Sequence, residues 1–287
     1  MHRKKMKQKA KELLQGIWGR AIALLFCLAA IMVFFSCLER MIVSFSGMST
    51  LEQLFSPLFL YGTVSVHIDT LLFASALFIG SSVLSFLFGT SLRQGIICWY
   101  YRRTLGEILP ISRTFNWYTS PKRWGKALAV HLLLLVKTAL WTALFLLPSA
   151  LLYFGYIIST IYHAAAWQSF LLFILTVGLT LGGLIGALVV CYRYFLVLFI
   201  LADDPEVRVR TAFRSSIRIM TGKKGELLAL DISFLPYYLL NFLIVPMLGT
   251  IPYIEMTKAL YARRYILNYQ LEVLSEKQET KENIQKL

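Results

Sequence analysis

Charge is missing from long stretches of this chain, and the stretches have membrane-spanning lengths. Ala21–Leu38 and Thr70–Leu92 carry no Asp, Glu, Lys or Arg, and Thr138–Tyr192 carries none over a far longer run. A last apolar run covers Ile232–Ile254. About 20 apolar residues in a helix cross the roughly 30 Å hydrocarbon core of a bilayer. The first two runs therefore predict one span each. The third predicts two spans joined by a turn near Ser159–Gln168, where polarity rises around His163 and Trp167. The last is one span, or two short ones with a turn near Asn241–Pro246.

Composition agrees. Of 287 residues, 57% are apolar and 15% charged, with a mean hydropathy of +0.65. Soluble domains carry about a quarter charged residues, so a soluble enzyme, a disordered chain and a disulfide scaffold are set aside. Charge then favours splitting the last run. Lys and Arg number 29 against 15 Asp and Glu, a net +14. All but Arg40, Arg93, Lys137 and Arg193 fall within residues 1–20, 99–126, 203–226 and 255–287. Only the split places all four basic blocks on one face, as the positive-inside rule favours.

The expectation is an all-α, polytopic transmembrane helix bundle of about six spans with interfacial amphipathic helices on the cytoplasmic side. The spans fall near 17–38, 70–95, 127–155, 169–200, 225–241 and 245–265. They form a single bundle, 17–265, between a basic amphipathic helix, 1–16, and a polar cytoplasmic tail, 266–287, with both termini in the cytoplasm. No small-x-small cleavage pattern follows the first run, so it reads as a retained helix rather than a signal peptide.

Three polar segments face the basic side. In residues 1–16, Met6, Ala10, Leu13 and Leu14 share one helical face and lysines cover the other. Such a helix lies in the interface against anionic phospholipid headgroups, or serves as a topogenic tail. Residues 99–126 carry Trp99, Tyr100, Tyr101, Trp117, Tyr118 and Trp124 among basic residues. These are interface anchors; a nucleic-acid role is set aside because apolar spans tether both ends. In 204–222, Asp203-Asp204-Pro205-Glu206 reads as a helix start and Gly222 as its C-cap. Val209, Phe213, Ile217 and Met220 form its apolar stripe, with Arg210, Arg214 and Arg218 alongside. That helix is a linker with snorkelling arginines, or a phosphate- or partner-docking site.

Catalytic motifs are not found: no Walker A, GxGxxG or GxSxG appears, and no cofactor is implied. Cys27, Cys37, Cys98 and Cys191 lack metal or disulfide spacing. His67, Asp69 and His163 make only a remote external metal set, and His131 reads as hydrogen-bonded inside the bundle. Intramembrane charges are better candidates, because burying a charge in a bilayer is costly. Lys137 and Asp231 fall in the third and fifth spans as a potential pair; Arg193 competes for Asp231, and Glu255 stands at i, i+3 to Lys258. These fix helix register or line a polar pathway. Gly178, Gly182 and Gly186 on the fourth span, and Ser81, Ser85 and Gly89 on the second, permit close helix packing or a homodimer seam. Pro148, Pro236, Pro246 and Pro252 mark kinks or broken helices.

Several stretches carry a family resemblance. Met6-Lys7-Gln8-Lys9-Ala10-Lys11-Glu12-Leu13-Leu14 with Gly16 and Trp18, then Ile200-Leu201-Ala202-Asp203-Asp204-Pro205-Glu206, Ile232-Ser233-Phe234, and Pro252-Tyr253-Ile254-Glu255 resemble a bacterial integral-membrane family catalogued as a domain of unknown function (DUF 975). The family pattern has Asn at the position of Asp204 and Gly-Trp near Pro236-Tyr237. The resemblance implies a multi-pass membrane protein whose Pro-Tyr segment belongs to a final helix of its own, and it implies no activity, cofactor or catalytic residue. The first functional reading is a non-enzymatic bacterial inner-membrane protein that contacts anionic lipid or a membrane-protein partner through its basic face. The second is a small transporter-like component with Lys137, Arg193 and Asp231 near a polar cavity. The third is a lipid-modifying enzyme, for which convergent acid, His or Ser side chains in a cleft would speak.

Overall fold

The structure, a computed structural model, describes residues 2–47, 68–162 and 166–285. Every regular element among them is helical: α1 (His2–Leu14), α2 (Trp18–Ser46), α3 (Ile68–Thr104), a 3₁₀ turn (Ile111–Trp117), α4 (Pro121–Ile161), α5 (Ala166–Cys191), a second 3₁₀ turn (Tyr192–Tyr194), α6 (Val197–Asp203), α7 (Val209–Ile219), α8 (Lys224–Ile232), α9 (Leu235–Leu240) and α10 (Ile244–Gln285). Local chemistry sets several of these limits. Gly47 stops α2 in the left-handed region at φ 67°, its N–H returning to Val43 O. Pro121 opens α4 behind an extended Ser120.

Burial divides the elements into two groups. The main core gathers α1, the first turns of α2, the inner part of α3 (Leu92–Tyr101), α6, α8 and Tyr253–Ile266 of α10. A second cluster joins Val130, Tyr194, Val197, Leu201, Ala212 and Phe213. The remaining lengths of α2–α5 hold little core: four helices are long and apolar enough to cross a membrane, and only 6–33% of their most apolar windows is buried. Those apolar surfaces require a bilayer to cover them.

The region read as a fifth and sixth span, 225–241 and 245–265, has a different construction. Its turn lies at Asn241–Leu243, as expected, but α8 and α9 are nine and six residues long. They break at Ser233-Phe234, and Pro236 opens α9. Nine residues rise about 14 Å, half of a hydrocarbon core. The segment is thus a hairpin of short pieces with an apolar tip, where Phe242 is 87% and Val245 80% exposed. α10 then runs unbroken through Pro252 to Gln285, so the tail from residue 266 is helix as far as 285.

The motif at Asp203-Asp204-Pro205-Glu206 also differs from its reading. α6 ends at Asp203, Asp204 Oδ1 accepts the Glu206 N–H at 2.9 Å, and helix resumes only at Val209. Val207 and Val209 pack against the second core, on either side of the non-helical Arg208. Gly222, at φ 77°, turns the chain three residues past the end of α7.

Many basic residues are engaged by helix ends rather than free. Arg3 Nη1 and Lys7 Nζ donate to Ala229 O (3.0 Å) and Ser233 O (2.9 Å) at the end of α8. Arg103 Nε donates to Leu13 O of α1 at 3.1 Å, and Arg263 Nη1 to Thr104 O of α3. Cations at helix C-termini satisfy orphan carbonyls and complement the helix dipole. The apolar face of α1 accordingly turns toward protein: Ala10 and Leu14 are fully buried, and Lys7 sits 3.9 Å from the Phe234 ring centroid. Burial there, with Arg3 and Lys11 nearby, holds the Lys7 ammonium below the ordinary lysine pKa.

Candidate functional site

The predicted intramembrane charges do not meet one another. The 3₁₀ turn Tyr192–Tyr194 sends adjacent side chains to different partners. Tyr192 OH donates to Asp231 Oδ2 at 2.5 Å, and Tyr238 OH to Oδ1 at 3.1 Å. Arg193 instead lies 5.5 Å from the Trp141 ring. Lys137 lies over the rings of Tyr194 (5.8 Å) and Phe213 (5.6 Å). The expected Lys137–Asp231 and Arg193–Asp231 pairs are therefore replaced by hydroxyl hydrogen bonds and cation–π contacts. Glu255 and Lys258 do lie within electrostatic reach on one helix, with Asp231 also near Lys258.

The small-residue stripes are likewise reassigned. On α5, a Cβ at Gly183 would meet Phe145 O at 2.6 Å and one at Gly186 would meet the Phe145 ring at 2.8 Å, so α5 packs on α4. Gly178 and Gly182 face open space, with nothing within 4 Å of a Cβ. Of the three arginines considered for docking, Arg218 donates to Tyr269 OH at 3.2 Å, while Arg210 and Arg214 are exposed. Asp69 is exposed at the start of α3; His67 and His163 lie outside the described residues.

The α3 stripe lines a cavity. Leu28, Met32, Ser36 and Glu39 recur at helical spacing on α2; Phe78, Ser81, Ser82, Ser85, Phe86, Gly89 and Arg93 do so on α3. These two faces, with Thr90 of α3 and His131 of α4, enclose about 500 Å³. Beside it, Phe35 of α2 stacks on Phe88 of α3 at 5.7 Å, holding the helices together. Ser81 Oγ donates to Glu39 Oε2 at 2.7 Å. From Ser81 to Arg93 the lining spans twelve residue-to-residue steps of α3, about 18 Å along its axis.

His131 completes the inner end, and it is hydrogen-bonded inside the bundle as expected. Ala127 O, which can only accept, takes its Nδ1–H at 2.9 Å. In the neutral ring Nε2 is then an acceptor, and it is buried with no hydrogen-bond partner. A carboxylate, an imidazole nitrogen, a guanidinium and four serines thus face one space between apolar helices. Chemically the cleft can take hydroxyl or ammonium donors at Glu39 and His131, and acceptors or anions at Arg93. The sequence pattern held Ser81, Ser85 and Gly89 but not their role; sequence reasoning missed Glu39 and gave Arg93 no site, and their position as charges flanking apolar runs is the signal that could have found them.

In the cleft Ser81 Oγ is bonded to the Glu39 carboxylate, and His131 Nε2 has no hydrogen-bond partner among the described residues. Among the described residues no group of three or more His, Cys, Asp or Glu is placed to hold a metal ion. Residues 1–267 match the family described as "Protein of unknown function (DUF975)". No curated protein and no solved structure matches the chain.

Proposed function

We propose that this chain, which belongs to the DUF975 family, is a non-enzymatic bacterial cell-membrane protein that holds the polar part of a lipid-like amphiphile in the cleft between α2 and α3. The observation that carries the reading is the meeting of Glu39, Ser81, Ser85, Arg93 and His131 in one cavity walled by apolar helices. Polar side chains at such positions are costly without partners, and a bound headgroup supplies them. The apolar wall from Leu28, Met32 and Phe86 suits an acyl chain. Both termini lie in the cytoplasm on this reading, where the exposed Lys4, Lys5, Lys9, Arg210 and Arg214 meet anionic headgroups.

A second reading, movement of a headgroup along α3, draws on the run of serines between Glu39 and Arg93. The test of binding is the lipid that accompanies the protein through purification in mild detergent. The wild type is expected to carry one lipid class enriched over the bulk membrane, and Glu39→Gln to lose that enrichment while its thermal unfolding stays cooperative. Bulk lipid on both proteins would sink the reading.

A further inference from the structure

We infer that a second, separate pocket, formed by the inner end of α3, the 3₁₀ turn Ile111–Trp117 and the start of α4, binds a phosphate group. Its cavity is about 300 Å³ and is lined by Arg102, Arg113 and Arg123, with Asn116 as a further amide donor. Guanidinium forks match the tetrahedral oxygens of phosphate, and several together recognise it with charge-assisted hydrogen bonds.

The charge balance favours an anion. Three guanidiniums face one carboxylate, Glu107, which takes Arg102 Nη1 at 3.2 Å. Arg113 and Arg123 form no ion pair among the described residues and are exposed at the pocket mouth. The wall behind them is fixed. Trp99 and Trp117 are buried, and Trp99 Nε1 donates to Leu109 O at 3.0 Å. Gly95 lets the 3₁₀ turn lie directly on α3, since a Cβ there would stand 1.9 Å from Thr114 O. On the far side Pro205 lines the pocket, tied to α4 by Lys126 Nζ donating to its carbonyl at 2.5 Å. The Asp-Asp-Pro-Glu turn thereby closes one edge of the site.

The same chemistry serves a soluble phosphorylated molecule or a phospholipid headgroup, because Tyr118 OH and Trp124 Nε1, which bond Phe88 O and Leu87 O of α3, place aromatic anchors beside the pocket. Titration of the full chain in detergent separates the two. One arm uses inorganic phosphate at constant ionic strength; the other uses short-chain phosphatidic acid against phosphatidylcholine.

Saturable binding of inorganic phosphate identifies a free phosphate site; saturation by phosphatidic acid alone identifies a headgroup site. In either arm R113Q/R123Q is expected to weaken binding about tenfold or more, and E107Q, which releases Arg102, to tighten it. Arg113 and Arg123 are surface side chains, so the double variant retains the wild-type unfolding midpoint without ligand. Arg123→Gln alone serves if it does not. Equal affinity of wild type and variant for both probes, or no binding of either, would overturn the site.

Discussion

Gly95 illustrates how much one absent side chain settles. Its neighbour across the contact is backbone, Thr114 O at 1.9 Å from an added Cβ, and backbone does not swing aside. Gly95→Ala is therefore expected to push the 3₁₀ turn off α3 and cost about 2 kcal/mol or more, read as a lowered unfolding midpoint in detergent. Gly182→Ala is expected to leave the midpoint unchanged or raise it slightly, because its Cβ meets open space and Ala is the better helix former by about 1 kcal/mol. The four-residue spacing of Gly178, Gly182 and Gly186 was visible in sequence, yet the seam runs through Gly183 and Gly186. Spacing tells which residues share a face; only the partner, here Phe145, decides which face is used. Asp231 has the same lesson. Its need for a partner was legible, but Tyr192 and Tyr238, which supply it, are uncharged and drew no attention.

Among the elements, α1 is helix over His2–Leu14, and its apolar face meets protein. Periodicity shows that Ala10 and Leu14 are sheltered but not whether lipid or protein shelters them. The answer lay in the carbonyls at the end of α8 and the Phe234 ring, which together hold Arg3 and Lys7. Lys7→Met keeps the stem and removes the charge. It is expected to loosen α1 by about 1–2 kcal/mol, seen as faster amide exchange across residues 2–14 with the rest of the core unchanged. Unchanged exchange would mean that apolar burial alone holds the helix. The hairpin of α8, α9 and the first turns of α10 was legible as two arms and a turn. Its shortness was not, since hydropathy does not register the break at Ser233-Phe234.

At the scale of the molecule, four long apolar helices and an apolar-tipped hairpin join a packed core whose helix ends hold Arg3, Lys7, Arg103 and Arg263. On the proposed topology the number of crossings is even, whether the hairpin spans the bilayer or dips into it, and the chain returns to the side it started from. A reporter fused after Leu287 is thus expected to be cytoplasmic, and one inserted at residue 163, between α4 and α5, to be external; an external C-terminus would contradict this topology. Within that frame the cleft of Glu39, Ser85, Arg93 and His131 is the central claim. Its most direct test is native mass spectrometry of the full chain released from detergent, beside Ser85→Leu, which fills the cavity from its own wall. One retained amphiphile per wild-type chain, absent from Ser85→Leu, is the predicted result. Equal lipid retention by both proteins would contradict it.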